Sequence, residues 1–271
     1  MPEQPRPHES ASFEPGRLAA LLDAAHHARE LLDAGAYPIA SLSDAYAVQD
    51  ALTARRVAGG RRIAGWKLGY TSAAMREQMG IDEPNFGPLF DDMFLPSWAD
   101  VSGRVTQPRV EPEIAIRFDT DVPGDADRAA VLAAAGTVYA CLEVVDSVWA
   151  AYRFTLAHNT ADGSSAALVV LGPELAGGRS LDEVAVELFR NGESLARATG
   201  AAASGHPADG VVWLAGQLAR QGRVIRAGEV VITGGLTAAP ALEPGDVIAA
   251  VFDESVRVEV VADAAGRGRR D

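Results

Sequence analysis

An α+β fold is predicted by three features of the 271-residue chain: two helical patterns near its start, a long succession of short β-type runs after them, and no internal repeat or low-complexity block. Apolar residues make up 48% of the sequence, enough for a sizeable core in one large domain or in a main domain with a smaller N-terminal lobe.

The opening, MPEQPRPHESASFEPG, is polar and Pro-rich and reads as a disordered tail over residues 1–16 of a cytosolic protein. From Arg17 to Ala34, Leu18, Leu21, Leu22, Ala25, Leu31 and Leu32 recur at helical spacing, with Gly35 as the stop. A second helix is predicted within SLSDAYAVQDALTARRVAGG, where Ser41 or Ser43 can cap free backbone N–H groups and Gly59-Gly60 ends the pattern. These two form a helical lobe over residues 17–62. A sheet-rich domain follows over 63–262, with 263–271 as a flexible tail. Its strand candidates are RIAGWKLGYT, RVEPEIAIRF, TVYACLEVVDS, AALVVLG, VAVELFRNGE, GEVVITGG and DVIAAVFDESVRVEV. Asn191-Gly192 signals a hairpin, because both residues tolerate positive φ. Helices are predicted at about 127–135 and about 207–221, the latter started by Pro207 and ended by Gly222.

A net charge of −13 and the lack of a Lys/Arg-dense stripe exclude a nucleic-acid partner. The clustered Arg55, Arg56, Arg61 and Arg62 read as solvated faces. The single cysteine, Cys141, cannot form an internal disulfide, and the longest uncharged run, from Ala129 to Leu142, is too short to span a bilayer.

Within VEPEIAIRF, Glu111 and Glu113 alternate along a strand, so both side chains leave one face and repel each other. Glu143, set among Leu142, Val144 and Val145, has no basic neighbour in sequence. Three such carboxylates suit Mg²⁺ or Mn²⁺, which take oxygen ligands; zinc is disfavoured because no His/Cys cluster accompanies them. The same spacing is equally compatible with a solvated edge strand and a Glu143 paired to a distant arginine. Lys67, bracketed by Gly65 and Gly69 in an apolar run, is expected to be desolvated, with a lowered pKa suited to proton transfer, unless its stem covers apolar surface and its head reaches water. Asp91 and Asp92 read as turn residues. In HNTADGSSAALVVLG a polar loop places Ser164 or Ser165 within reach of a ligand. Thr233, Gly234 and Gly235 form either an anion-accepting turn or a tight strand end.

In the order DAYAVQDA, GWKLGYTSAAMREQMGIDEPNFGPLFDDM, VEPEIAI, CLEVVDS, ADGSSAALVVLG and TGGLTAAPALEPGD, residues 36–260 resemble the 2-keto-4-pentenoate hydratase and 4-oxalocrotonate decarboxylase branch of the fumarylacetoacetate hydrolase superfamily. The resemblance implies a mixed sheet rolled into a partly closed β-barrel. It implies Glu111, Glu113 and Glu143 as metal ligands, Lys67 and Asp91 as the acid/base pair, and Ser165, Thr233, Gly234 and Gly235 along the substrate pocket. Two departures stand beside that pocket. Where the family commonly reads Asp-Asn-Ala-Ser-Ser, this chain has Asp162, Gly163, Ser164, Ser165 and Ala166, and His158 occupies a position that is often acidic.

The implied activity is Mg²⁺-dependent hydration of a 2-hydroxy-2,4-dienoate to a 4-hydroxy-2-oxo acid, the ion stabilising enolate charge. Decarboxylation of a 2-oxo-3-enedioate is the alternative. Acylpyruvate hydrolysis lacks a convincing His/Glu pair, and a catalytically silent 2-oxo acid-binding or partner subunit is the rival from another class. The resemblance also implies a homo-oligomer and association with a companion hydratase or decarboxylase.

Overall fold

The computed structural model describes residues 13–72, 76, 77 and 81–263. Most of both expected tails lies outside the described residues. At the front, however, Pro15 already opens helix α1 (Pro15–Ala28), its missing N–H costing nothing in the first turn. α1 does not run on to Ala34. Arg29 turns left-handed at φ 55°, and the Glu30 N–H reaches back to the Ala25 carbonyl, closing the helix six residues early. Leu32 then exchanges backbone hydrogen bonds with the segment around Trp149, and Asp33 accepts from the Gly35 N–H in a short 3₁₀ turn. Helix α2 (Leu42–Ala58) begins where expected, Ser41 accepting from the Asp44 N–H at 3.0 Å, and ends at Gly59.

The strands are β1 (Ile63–Gly69), β2 (Asn85–Phe90), β3 (Phe94–Pro96), β4 (Ala99–Asp100), β5 (Arg109–Phe118), β6 (Ala135–Val145), β7 (Ala166–Glu174), β8 (Ala185–Arg190), β9 (Glu193–Thr199), β10 (Val230–Ile232), β11 (Val247–Phe252) and β12 (Val256–Val261). A seven-stranded mixed sheet runs β2-β1-β10-β5-β6-β7-β3 and curls into a half-barrel; a five-stranded sheet runs β4-β12-β11-β8-β9. Helices α3 (Arg128–Ala134), α4 (Leu156–Ala161) and α5 (Pro207–Arg220) lie between strands. Asn191 and Gly192, at φ 51° and 86°, make the expected β8–β9 hairpin.

The strand β2, NFGPLF, is not among the strand candidates read from the sequence. It is an edge strand paired only with β1, and an edge tolerates Pro88 because one side needs no N–H donor.

The main core lies between the two sheets and α5. Val110, Ile114, Ile116 and Phe118 of β5 meet Leu188, Ile248, Phe252 and Val258 of the smaller sheet, with Leu214 and Leu218 of α5. A second core joins Leu22 of α1 and Val48 and Leu52 of α2 to Trp149 and Ala161, so the N-terminal helices are packed onto the segment that leads into β7. The period of two in β5 sends Glu111, Glu113 and Ala115 to the opposite, concave face.

Parallel pairing of β1 with β10 brings two backbones unusually close: a Cβ on Gly65 would lie 1.9 Å from the Val230 carbonyl oxygen. Gly65→Ala is therefore expected to cost about 3 kcal/mol by forcing the strands apart, read as a lower urea midpoint with an unchanged denaturant slope.

Candidate active site

Antiparallel register sets Glu111 of β5 directly opposite Glu143 of β6, and Glu113 opposite Cys141. All three carboxylates share the concave face and offer oxygen atoms within 4.8 Å of one another. Glu113 and Glu143 are fully buried and Glu111 half-buried, which overturns the solvated-edge reading. Pairing of Lys67 with Ile232, and of Ile232 with Ala115, carries Lys67 onto the same face. Its Nζ lies 2.9 Å from Glu143 Oε2 and donates to the Ser164 carbonyl at 2.9 Å.

The electrostatics are those of a cluster short of positive charge. Burial, then the neighbouring Glu143, push Glu111 up to about 7. Burial, reinforced by Glu143 and Glu111, holds Glu113 well above the carboxylate range. Burial raises Glu143 too, although Lys67 opposes it. Lys67 departs from the expected lowering. Burial pulls it down, but Glu143, Glu111 and Glu113 outweigh that and hold it above the lysine range.

Glu113 Oε1 and Glu143 Oε1 are buried with no hydrogen-bond partner in the protein. Three converging acids, two of them with orphaned carboxylate oxygens, fit a hard divalent cation, and Glu111, Glu113 and Glu143 are the residues that would hold it.

The turn after β10 positions two of them. The Gly234 N–H donates to Glu113 Oε2 at 2.6 Å, and a Cβ on Gly235 would stand 2.8 Å from the Glu111 carboxyl carbon. Thr233, expected along the pocket, is fully buried and its hydroxyl donates to the Ile114 carbonyl at 3.0 Å, so its donor serves the fold.

Asp91 is placed elsewhere. Lys67 pairs with Gly87, and Asp91 lies four residues beyond it, about 13 Å along the strand direction. Its carboxylate instead takes the Arg62 N–H at 3.1 Å and Arg62 Nε at 3.0 Å, contacts that hold it below the usual range. Asp91 therefore does not stand beside Lys67 as the resemblance implied.

A polar network missed in the sequence stands beside that lysine. Gly163, Ser164 and Ser165 are all left-handed, at φ 74°, 61° and 54°, which aims the Ser164 carbonyl at Lys67. Gly163 suits this conformation at no steric cost, so the departure from the family's Asn leaves the turn intact. Ser164 Oγ donates to Asn85 Oδ1 at 2.9 Å. Asn85 Nδ2 donates to Asn159 Oδ1 at 2.9 Å and Thr160 Oγ1 at 3.0 Å, and Asn159 Nδ2 donates to Ser165 Oγ at 2.8 Å. From α2, Gln49 Nε2 donates to the carbonyls of Phe86 and Thr160. The other departures are structural. His158 pairs with Thr155 Oγ1 and the Tyr37 carbonyl, and Ala166 is a buried residue at the start of β7.

Asn85→Ala would orphan Ser164, Asn159 and Thr160 at once. A stability loss of about 2–4 kcal/mol is expected in denaturant, together with a fall in whatever turnover depends on Lys67. Asp91→Asn, by contrast, should leave turnover near wild type; a severe loss would return Asp91 to the site. Mg²⁺ at about 100 times its dissociation constant should stabilise the chain by about 2.7 kcal/mol. A Glu113→Gln, Glu143→Gln double variant should lose that response in thermal unfolding.

The fumarylacetoacetate (FAA) hydrolase C-terminal family model matches residues 69–261. A 2-keto-4-pentenoate hydratase of Paraburkholderia xenovorans is 38% identical over 218 residues, covering 78% of this chain and 80% of its own. A 4-oxalocrotonate decarboxylase of a Pseudomonas species is 36% identical over 214 residues, covering 78% and 81%. The solved 4-oxalocrotonate decarboxylase from Pseudomonas putida, complexed with magnesium and adipate, superposes with a TM-score of 0.87 at 30% identity over 94% of this chain and 99% of that one. With the curled sheet, the ordered motifs and these likenesses in agreement, the chain belongs to the fumarylacetoacetate hydrolase family.

Proposed function

We propose that this chain is a Mg²⁺-dependent lyase that adds water to a 2-hydroxy-2,4-dienoate, giving a 4-hydroxy-2-oxo acid. One observation carries the reading: three converging carboxylates, two of them with orphaned oxygens, surround a single buried lysine. Glu111, Glu113 and Glu143 would hold the ion, and the Gly234 N–H keeps Glu113 turned towards it. When bound, Mg²⁺ supplies positive charge for the carboxylate and C2 oxygens of a 2-oxo acid and for the electron density that grows on them during proton transfer.

Lys67 is the group that carries the proton to and from the conjugated chain. Two contacts, the Ser164 carbonyl and Glu143, fix its ammonium at one point. The Ser165 hydroxyl, already accepting from Asn159, keeps its own O–H to offer to substrate. Thr233 and Asp91 have no part in this scheme.

Decarboxylation of a 2-oxo-3-enedioate would use the same carboxylates and the same lysine, and both names occur among the relatives. In that reaction the C–C bond to the leaving carboxylate breaks, CO₂ departs, and the electron pair enters the conjugated chain, to be protonated there.

Metal-stripped protein incubated with 2-hydroxypenta-2,4-dienoate, with and without Mg²⁺, should add the mass of one water only when Mg²⁺ is present. Lys67→Met is expected to lower kcat by about 10²–10⁴-fold while leaving the Mg²⁺-induced rise in melting temperature in place. Release of CO₂ from 2-oxo-3-hexenedioate without hydration of the dienoate would make decarboxylation the activity. No change in either substrate would favour a silent binding subunit.

A further inference from the structure

Tyr70 follows β1 directly, three residues after Lys67, and its neighbours in the chain both touch the site. A Cβ on Gly69 would meet Asn85 Oδ1 and Ser164 Oγ, and Thr71 packs against Gly234, whose N–H holds Glu113. The Tyr70 phenol feels the charges of Lys67 and Glu111, and burial pushes it up to about 12. On its other side Tyr70 lines a cavity of about 640 Å³ bounded by the start of α2 and the start of α4. A substrate anchored at the carboxylate cluster and extending past Tyr70 would place its far end there.

Ile39, Leu42, Ile81, Phe154, Leu156 and Ala157, with Tyr70, give the cavity its apolar walls, and Ser41, Thr155, Asp82 and Glu83 are its polar lining. No Lys, Arg or His is among the described lining residues. Two of the hydroxyls that border it are engaged. Ser41 Oγ donates to Asp44 Oδ2, and Thr155 Oγ1 is bonded to His158 Nδ1 at 2.7 Å. Asp82 and Glu83, both exposed, add negative charge to the rim. Arg153, next to Phe154 in the chain, and Arg76, which gives Nη1 to the carbonyls of Tyr70 and Thr71, are not among the described lining residues.

We infer that this cavity is the subsite for the distal end of the substrate, and that it selects an uncharged, apolar tail over a second carboxylate. The inference rests on the proposed binding of a 2-oxo acid at the carboxylate cluster and narrows it to monoacids: 2-hydroxy-2,4-dienoates ending in hydrogen, alkyl or aryl groups. A second carboxylate would leave water for apolar walls and acidic neighbours with no cation among the described lining residues to meet it, a cost that hydrophobic contact cannot offset. An alkyl or aryl tail gains by the same transfer.

The test uses two unreactive six-carbon probes, 2-oxohexanoate and 2-oxohexanedioate, titrated calorimetrically into the Mg²⁺-loaded protein. The monoacid should bind at least about tenfold more tightly. Leu156→Arg and, separately, Ile39→Arg should reverse the preference, each variant first shown to keep its Mg²⁺-dependent rise in melting temperature. Equal or tighter binding of the diacid by the wild type would overturn the tail inference while leaving the 2-oxo acid site standing. Binding of neither probe would overturn the 2-oxo acid reading, and the inference with it.

Discussion

Three carboxylates and one ammonium, buried on the concave face of one sheet, carry two negative charges in excess when all are ionised. A protein interior cannot hold such an excess without a large desolvation cost, and in its absence the carboxyls retreat towards their neutral forms, as the raised values of Glu111, Glu113 and Glu143 show. A divalent cation removes the excess without adding bulk, and the orphaned oxygens of Glu113 and Glu143 are those a ligating acid would use. The β5–β6 register, the tight turn after β10 and the parallel β1–β10 pairing all serve to keep these four groups converged.

Charge alone would let Lys67 settle anywhere among the three acids. A neutral oxygen picks one place for it: the Ser164 carbonyl, presented by three consecutive left-handed residues. That conformation is unfavourable for the two serines, so something must hold it, and the Asn85, Asn159 and Thr160 side chains do so with bonds that leave little slack. Gln49 extends the network into α2. The N-terminal helices therefore brace the lysine's seat, and their second core around Trp149 and Leu22 holds α4 and the loop after it in place.

The carboxylate cluster was legible because its signal is local: two acids at period two among apolar residues require a shared face, and Glu143 shows the same anomaly one strand on. Helix α2 was legible from its cap and its stop. The brace was harder to see, although a trace of it is in the sequence. On the buried face of α2, Ala45, Val48 and Leu52 alternate with Gln49, Thr53 and Arg56, polar residues at positions that periodicity reserves for apolar ones. Asn85 was hidden because Gly87-Pro88 gives its strand no β-type pattern, and Asp91 has an acidity that fits a chemical role but a register that does not. Thr233 misled for a similar reason, since sequence names a hydroxyl without saying which carbonyl it faces.

The two ends of the site consequently differ in how much they can say about the reaction. In the proposed scheme the carboxylate end would suit any 2-oxo acid and serve hydration and decarboxylation alike, because both move electrons through the same conjugated acid. The difference between those reactions is a charge at the far end of the substrate, and only the walls there can read it. Those walls come from the approach to α2, the residues before β2 and the start of α4, segments with no strand alternation to betray which side chain faces inward. Ile39, Leu42, Phe154 and Leu156 converge there with acids at the rim, and the chain as a whole carries a net charge of −13. Both features work against a dianion, the walls by desolvation and the overall field by repelling its approach. An enzyme of this lining does not need to exclude the second carboxylate by contact; it has only to withhold the cation that would accept it.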